Sequence, residues 1–147
     1  MKQISTPLRL LLVGWGLNLL FDFIVPTPFV PGGLTWLGYV VMAGAVGLWI
    51  WQIHTLKKNK TTIAFMGKPR TLVTDGPYAY SRHPGYLAQV GLLAGLAIAL
   101  NSWISLLVAG FMWFVLERYV TRYEEKMLLK TLGDDYRQYR KRVRKWV

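Results

Sequence analysis

The chain has no cysteine, which excludes disulfides, thiolate nucleophiles and thiolate metal sites. Only two histidines occur, His54 and His83, so no metal centre is expected. Acidic residues are also scarce: seven Asp and Glu stand against 18 Lys and Arg, a net charge of +11. In a soluble protein such an excess points to nucleic acid, because Lys and Arg neutralise phosphates. The distribution of the charge argues otherwise. No Lys or Arg lies between Leu10 and Leu56, and none between His83 and Glu117. The basic residues gather at the N-terminus, in Lys57 to Arg82, and from Arg118 to Lys145. Charge is placed this way beside a bilayer, where anionic headgroups attract it and topology requires it. The expected partner is therefore an anionic membrane surface, and no nucleic acid.

With 53% apolar residues and a positive mean hydropathy, residues 1–147 read as one all-α integral-membrane domain. Four spans are expected, at about 8–25, 34–53, 84–100 and 103–119, where crossing takes about 20 apolar residues. The last two are short, which local bilayer thinning accommodates. The connections Pro26 to Gly33 and Asn101-Ser102 carry no basic residue. The positive-inside rule then places both termini, the loop 57–82 and the tail 120–147 in the cytosol. The apolar run after Lys2 is too long for a removable signal peptide and lacks a small-residue cleavage site, so the first span is expected to be retained.

Within the spans, Asn18 is expected to bond a neighbouring helix, and small-residue faces are expected at Gly44 and Gly47 and at Gly91 and Gly95. His54, beside Lys57, reads as solvated. The loop 57–82 is too apolar for a passive linker and contains the β-prone Thr71-Leu72-Val73-Thr74. Thr61 to Met66 and Thr71 to Val73 are expected to lie over the mouth of the bundle as a lid. In the tail, Leu128, Leu129 and Leu132 need a surface to bury against, and Gly133 ends their helix. A last amphipathic helix follows Asp134-Asp135. Tyr136, Tyr139 and Val143 fall on one side and Arg137, Arg140, Lys141, Arg142, Arg144 and Lys145 on the other, the pattern of a helix lying on headgroups.

Two polar clusters flank the second hairpin: Gly76 to Tyr86 before it and Glu124-Glu125 after it. A turn at Asn101-Ser102 sets Arg118 level with Pro84 and puts the glutamates roughly 10 Å deeper, at about 1.5 Å per residue. That separation matches a nucleoside. Pro84 suits a helix start, the free N–H groups there suit an anion, and Arg82 suits a carboxylate gripped by two nitrogens. Glu124 and Glu125 project about 100° apart. One is expected to face a ligand and the other to be held by Arg122 or Lys126.

Gly76-Pro77-Tyr78, Arg82-His83-Pro84-x-Tyr86, Glu124-Glu125-x-x-Leu128, Gly133 and Tyr136-x-x-Tyr139-x-x-Arg142-Val143 together resemble the C-terminal half of integral-membrane methyltransferases. These are the isoprenylcysteine carboxyl methyltransferases and the phospholipid N-methyltransferases, and the likeness runs from about Thr61 to Val143. It implies S-adenosylmethionine-dependent methylation of a membrane-embedded, lipid-like substrate. By the same resemblance, Tyr78, Arg82, His83, Pro84, Tyr86, Glu124 and Glu125 contact the cofactor, with catalytic roles for Arg82 and Glu125. Arg122, Tyr136, Tyr139 and Arg142 fall to the substrate. The chain departs from the pattern at Gly85, where a bulky apolar residue is usual, and at Ala88, where a glycine is usual. At Val120 the carboxyl methyltransferases tend to carry an arginine, which tilts the reading towards phospholipid amine N-methylation over carboxyl O-methylation. Membrane sterol and isoprenoid reductases share the Arg-His-Pro-x-Tyr and Glu-Glu pattern but generally have more spans. A nicotinamide-dependent reductase and a non-catalytic membrane protein are the remaining alternatives.

Overall fold

The computed structural model describes residues 6–24, 28, 31–61 and 71–147. It contains five α-helices: α1 Thr6–Ile24, α2 Trp36–Lys58, α3 Pro84–Leu100, α4 Trp103–Val115 and α5 Thr121–Arg142. No strand occurs among the described residues. The β-prone Thr71 to Thr74 runs as irregular backbone, because strand propensity is realised only against a pairing edge and its neighbours are helices. Of the expected lid, 62–66 lies outside the described residues.

Local signals set the ends of the second hairpin. Pro84 opens α3 after a non-helical His83 (φ −130°, ψ 55°), its missing N–H being one the first turn does not need. Asn101 closes α3 in the left-handed conformation (φ 55°, ψ 47°), which Asn tolerates better than most residues. Ser102 then caps α4, its Oγ accepting from Ser105 N at 3.3 Å and so satisfying one of the free amides of the first turn. A wider π-helical turn, Leu116–Val120, carries α4 directly into α5. Gly133, at φ 55° and ψ −124°, kinks α5 with a backbone conformation that a Cβ would strain.

The most extensive packing joins α2 to α3. A Cβ added to Gly95 would lie 2.6 Å from Met42 Cγ and 2.8 Å from Gly38 O, and one added to Gly38 would strike the backbone of Ala99. The stripe of α2 that meets α3 is therefore Gly38, Met42 and Ala45. Gly44 and Gly47, the face expected from the sequence, have nothing within 4 Å of an added Cβ. They sit a helical third of a turn or more off the stripe set by the i, i+4, i+7 spacing. On the other side of α3, Leu93 packs with Leu11, Ala109 and Met112 of α1 and α4. Asn18 is fully buried, yet the bond at that position runs from Ser105 Oγ to the Asn18 backbone oxygen at 3.5 Å and does not use the side-chain amide.

Candidate active site

The loop before α3 turns through a 3-10 turn, Gly76–Ala79, and delivers Arg82 and His83 to the mouth of the bundle. Two backbone anchors hold it there: Ser81 N donates to Pro77 O at 3.1 Å and Arg82 N to Arg144 O at 3.1 Å. His83 is buried, and α5 brings a carboxylate to each of its ring nitrogens. Glu124 Oε2 lies 3.6 Å from Nδ1, and Glu125 Oε1 lies 3.3 Å from Nε2. Arg82 Nη1 sits 2.7 Å from the same Glu125 oxygen, with the two side chains only 9% and 13% exposed. The roughly 100° between consecutive helical side chains thus lets both glutamates engage one ring at different atoms.

This geometry corrects the spacing expected from the sequence. The two clusters are in direct ion-pair contact and are not separated by the length of a nucleoside. Axial offset along the helices does not set the gap, because the loop before α3 carries Arg82 and His83 to the α5 carboxylates and the side chains close what remains. The partner of Glu125 is also not Arg122 or Lys126, since both are exposed and Arg82 takes that place.

Beside the cluster lies a hollow that is partly open to solvent. Tyr78, Arg82, His83, Pro84 and Tyr86 line it from the α3 side, and Glu124, Leu128, Leu132, Tyr136 and Tyr139 from α5. Thr71, Leu72 and Val73 close over it, as expected of that part of the lid. Tyr139 Oη donates to Tyr78 O at 2.7 Å and joins the two walls. The Tyr136 and Tyr139 face of α5 is therefore buried in the site and not laid on headgroups.

Protonation follows from these contacts. Burial works against a charged His83, but the hydrogen bonds and charges of Glu124 and Glu125 outweigh it and raise the imidazole pKa above its ordinary value. Burial also opposes ionisation of Glu125, yet the His83 hydrogen bond and the Arg82 charge hold its carboxyl below the usual range. The phenols are driven up by burial, Tyr78 and Tyr136 each to about 12. The contacts thus favour the charged forms of His83 and Glu125.

A model of the phospholipid methyltransferase family matches residues 34–135. The chain belongs to this family. Over 77 residues it is 40% identical to the protein-S-isoprenylcysteine O-methyltransferase of Schizosaccharomyces pombe (strain 972 / ATCC 24843), covering 52% of this chain and 32% of that protein. The structure of the eukaryotic intramembrane Ras methyltransferase, an isoprenylcysteine carboxyl methyltransferase, matches with a TM-score of 0.71 at 25% identity. That likeness covers 99% of this chain and 53% of the other. The chain thus spans about a third and about half of the lengths of these two relatives.

Most residues picked out by the family's motif meet in one place: Tyr78, Arg82, His83, Pro84, Tyr86, Glu124, Tyr136 and Tyr139 all line the hollow. Three do not. Glu125 stands behind Arg82 and His83, and Arg122 and Arg142 are exposed outside the lining. The structure also adds a residue that sequence reasoning missed. Gln52 of α2 lines the hollow, donates from Nε2 to Tyr78 Oη at 2.9 Å, and leaves its buried Oε1 without a protein partner. An added Cβ at Gly85 would strike Gln52 Oε1, so the absence of a side chain at Gly85 is what admits Gln52. A buried glutamine in an otherwise apolar helix was the available signal.

Proposed function

We propose that the chain is an S-adenosylmethionine-dependent methyltransferase whose acceptor is a membrane-embedded, isoprenyl-type carboxylate. The carrying observation is His83 clamped between two carboxylates and Arg82 at the edge of the hollow, in a chain of the phospholipid methyltransferase family. Two of the proteins it resembles are isoprenylcysteine methyltransferases by name.

The lining fits the donor. Gln52 Oε1, Thr61 Oγ1 and Arg82 Nε are buried polar atoms without protein hydrogen-bond partners, offering acceptors for an amino or hydroxyl group and a donor for a carboxylate. Tyr78 and Tyr86 supply aromatic surface beside them, and aromatic faces favour a cation. Bound S-adenosylmethionine supplies an electrophilic methyl group on a sulfonium. The protein's part is to align, to hold charge and to exclude water. Arg82 is committed to Glu125, so Glu125 acts as the brace that orients Arg82 and His83.

The resting charges bear on the acceptor. A lipid ammonium must lose a proton before it attacks. Glu125, whose carboxyl is held below its usual range, is a poor base for that step. A carboxylate is already a nucleophile and needs no base. This argument, with the names of the relatives, displaces the tilt towards phospholipid amine drawn from Val120.

The membrane reading is part of the same proposal. Gly32–Lys58 and Trp103–Arg142 are helical stretches long and apolar enough to cross, and Leu11–Phe21 and Pro84–Leu100 are shorter apolar helices. Leu12, Leu19, Phe23, Val40, Ile50, Leu107 and Phe111 are exposed on their outer faces, a surface suited to lipid. We read one domain over 1–147 with four spans, both termini in the cytosol, and the basic side of α5 towards anionic headgroups.

The purified protein is expected to bind S-adenosylhomocysteine by calorimetry, with affinity lost in His83→Ala. It is then expected to methylate S-farnesyl-N-acetylcysteine and not phosphatidylethanolamine, read by mass spectrometry. Absence of binding would sink the donor assignment, and methylation of the amine alone would sink the acceptor assignment.

A further inference from the structure

Residues 144–146 cross back over the site after α5 and fasten to both of its halves. Arg144 O accepts from Arg82 N at 3.1 Å, and Lys145 O accepts from Ser81 Oγ at 3.2 Å. On the other side, Lys145 Nζ lies 2.7 Å from Glu117 Oε1, and Trp146 Nε1 donates to Glu117 Oε2 at 2.7 Å. Glu117 lies in the π-helical turn, at the foot of the apolar α4. Its side chain is about a third exposed, and both carboxylate oxygens are held by this one strap. Hydrogen bonds to an ionised acceptor are about twice as strong as neutral ones.

The placement of the indole gives the strap a further meaning. Trp146 lies with its ring centroid 6.1 Å from that of His83 and 6.5 Å from that of Trp113. Trp113 is exposed on the outer face of α4. On its other flank His83 stacks with Tyr86 at 5.6 Å. Tyr86 lines the hollow, and Trp146, Trp113 and Glu117 do not. Trp146 therefore stands between the outer apolar surface and His83, outside the hollow fitted to the donor. His83 is buried and has ring contacts with both Tyr86 and Trp146.

We propose that the strap 144–146 is the gate for the acceptor: Trp146 closes the approach from the outer face of α4 to His83, and the acceptor's carboxylate reaches the site when Trp146 and Lys145 release Glu117. The inference rests on the methyltransferase reading. A closed latch lowers apparent acceptor affinity by the fraction of molecules that are open, so weakening it tightens apparent acceptor binding. A merely structural strap would do the opposite.

The test uses the full chain in vesicles and two variants, Glu117→Gln and Trp146→Phe. Glu117→Gln removes the carboxylate's charge at constant shape, and Trp146→Phe removes the indole N–H donor to Glu117 and shrinks the ring. S-farnesyl-N-acetylcysteine is the acceptor probe and S-adenosylhomocysteine the donor probe. The expected result is an acceptor KM lowered about fivefold in both variants, with donor Kd within about twofold of the parent. An acceptor KM unchanged or raised overturns the gate. So does a donor Kd that weakens in step with it, or unfolding of both variants, since each makes the strap a structural prop. Failure of the parent itself to bind the donor probe fails the methyltransferase reading, and the gate falls with it; a parent that binds while the variants show no fall in KM fails the gate alone.

Discussion

Glu125→Gln probes the brace of the site with little change of shape. Glu125 meets Arg82 at 2.7 Å and His83 at 3.3 Å from a single oxygen, so the substitution takes one charge away from two cations. Removing one partner of a buried pair costs about 3–5 kcal/mol. His83 keeps Glu124 at 3.6 Å, which places the loss near the lower end, about 3 kcal/mol. At roughly 2–4 °C per kcal/mol for a chain of this size, Tm should fall by about 6–12 °C.

The pH profile sharpens the test. In the parent, folded His83 holds its proton above the ordinary pKa of 6.5. Its contribution is complete below that pH and is lost as pH rises through the raised folded value. Glu125 behaves in the opposite sense. Its folded pKa lies below 4.5, so its contribution is present above that pH and is lost as pH falls through the lowered value. The parent's Tm should therefore plateau between the two and decline on the alkaline side. In Glu125→Gln, burial acts on His83 with one carboxylate left to oppose it, and the alkaline decline should flatten. Thermal unfolding in detergent from about pH 5 to about pH 9 reads both effects. An alkaline slope equal in the two proteins, or a Tm unchanged near neutrality, refutes the argument.

Gly95→Val inserts a branched side chain where a Cβ alone would lie 2.6 Å from Met42 Cγ; overpacking of this kind costs about 1–3 kcal/mol or more, and a Tm equal to the parent's would contradict the α2 to α3 contact. Gly44→Val, which meets open space, should leave Tm within about 2 °C of the parent, since surface changes stay within about ±0.5 kcal/mol at roughly 2–4 °C per kcal/mol. Gln52→Leu removes the buried acceptor Oε1 and the bond to Tyr78. It should weaken S-adenosylhomocysteine binding about fivefold, the equivalent of about 1 kcal/mol, and unchanged affinity in calorimetry would remove Gln52 from the donor site.

Signals that act over a few residues were readable along the chain. Pro84 marked the start of α3, Asn101-Ser102 the hairpin turn and Gly133 the end of a helix, where the structure has a kink at a non-helical Gly133. The helical class, the clustering of basic charge and the family's paired motifs are likewise properties of order and composition. Tertiary packing decided the rest. Gly38, and not Gly44, became the close-contact residue because α3 lies along one stripe of α2. Glu125 became the brace of Arg82 because the loop before α3 meets α5, and Glu117 the anchor of Lys145 and Trp146 because the tail after α5 folds back onto the π-helical turn. Gln52 entered the hollow because Gly85, 33 positions away in the numbering, left room for it. Such contacts join residues far apart in the chain, and the orientation of the helices, which no local pattern encodes, determines which of them meet.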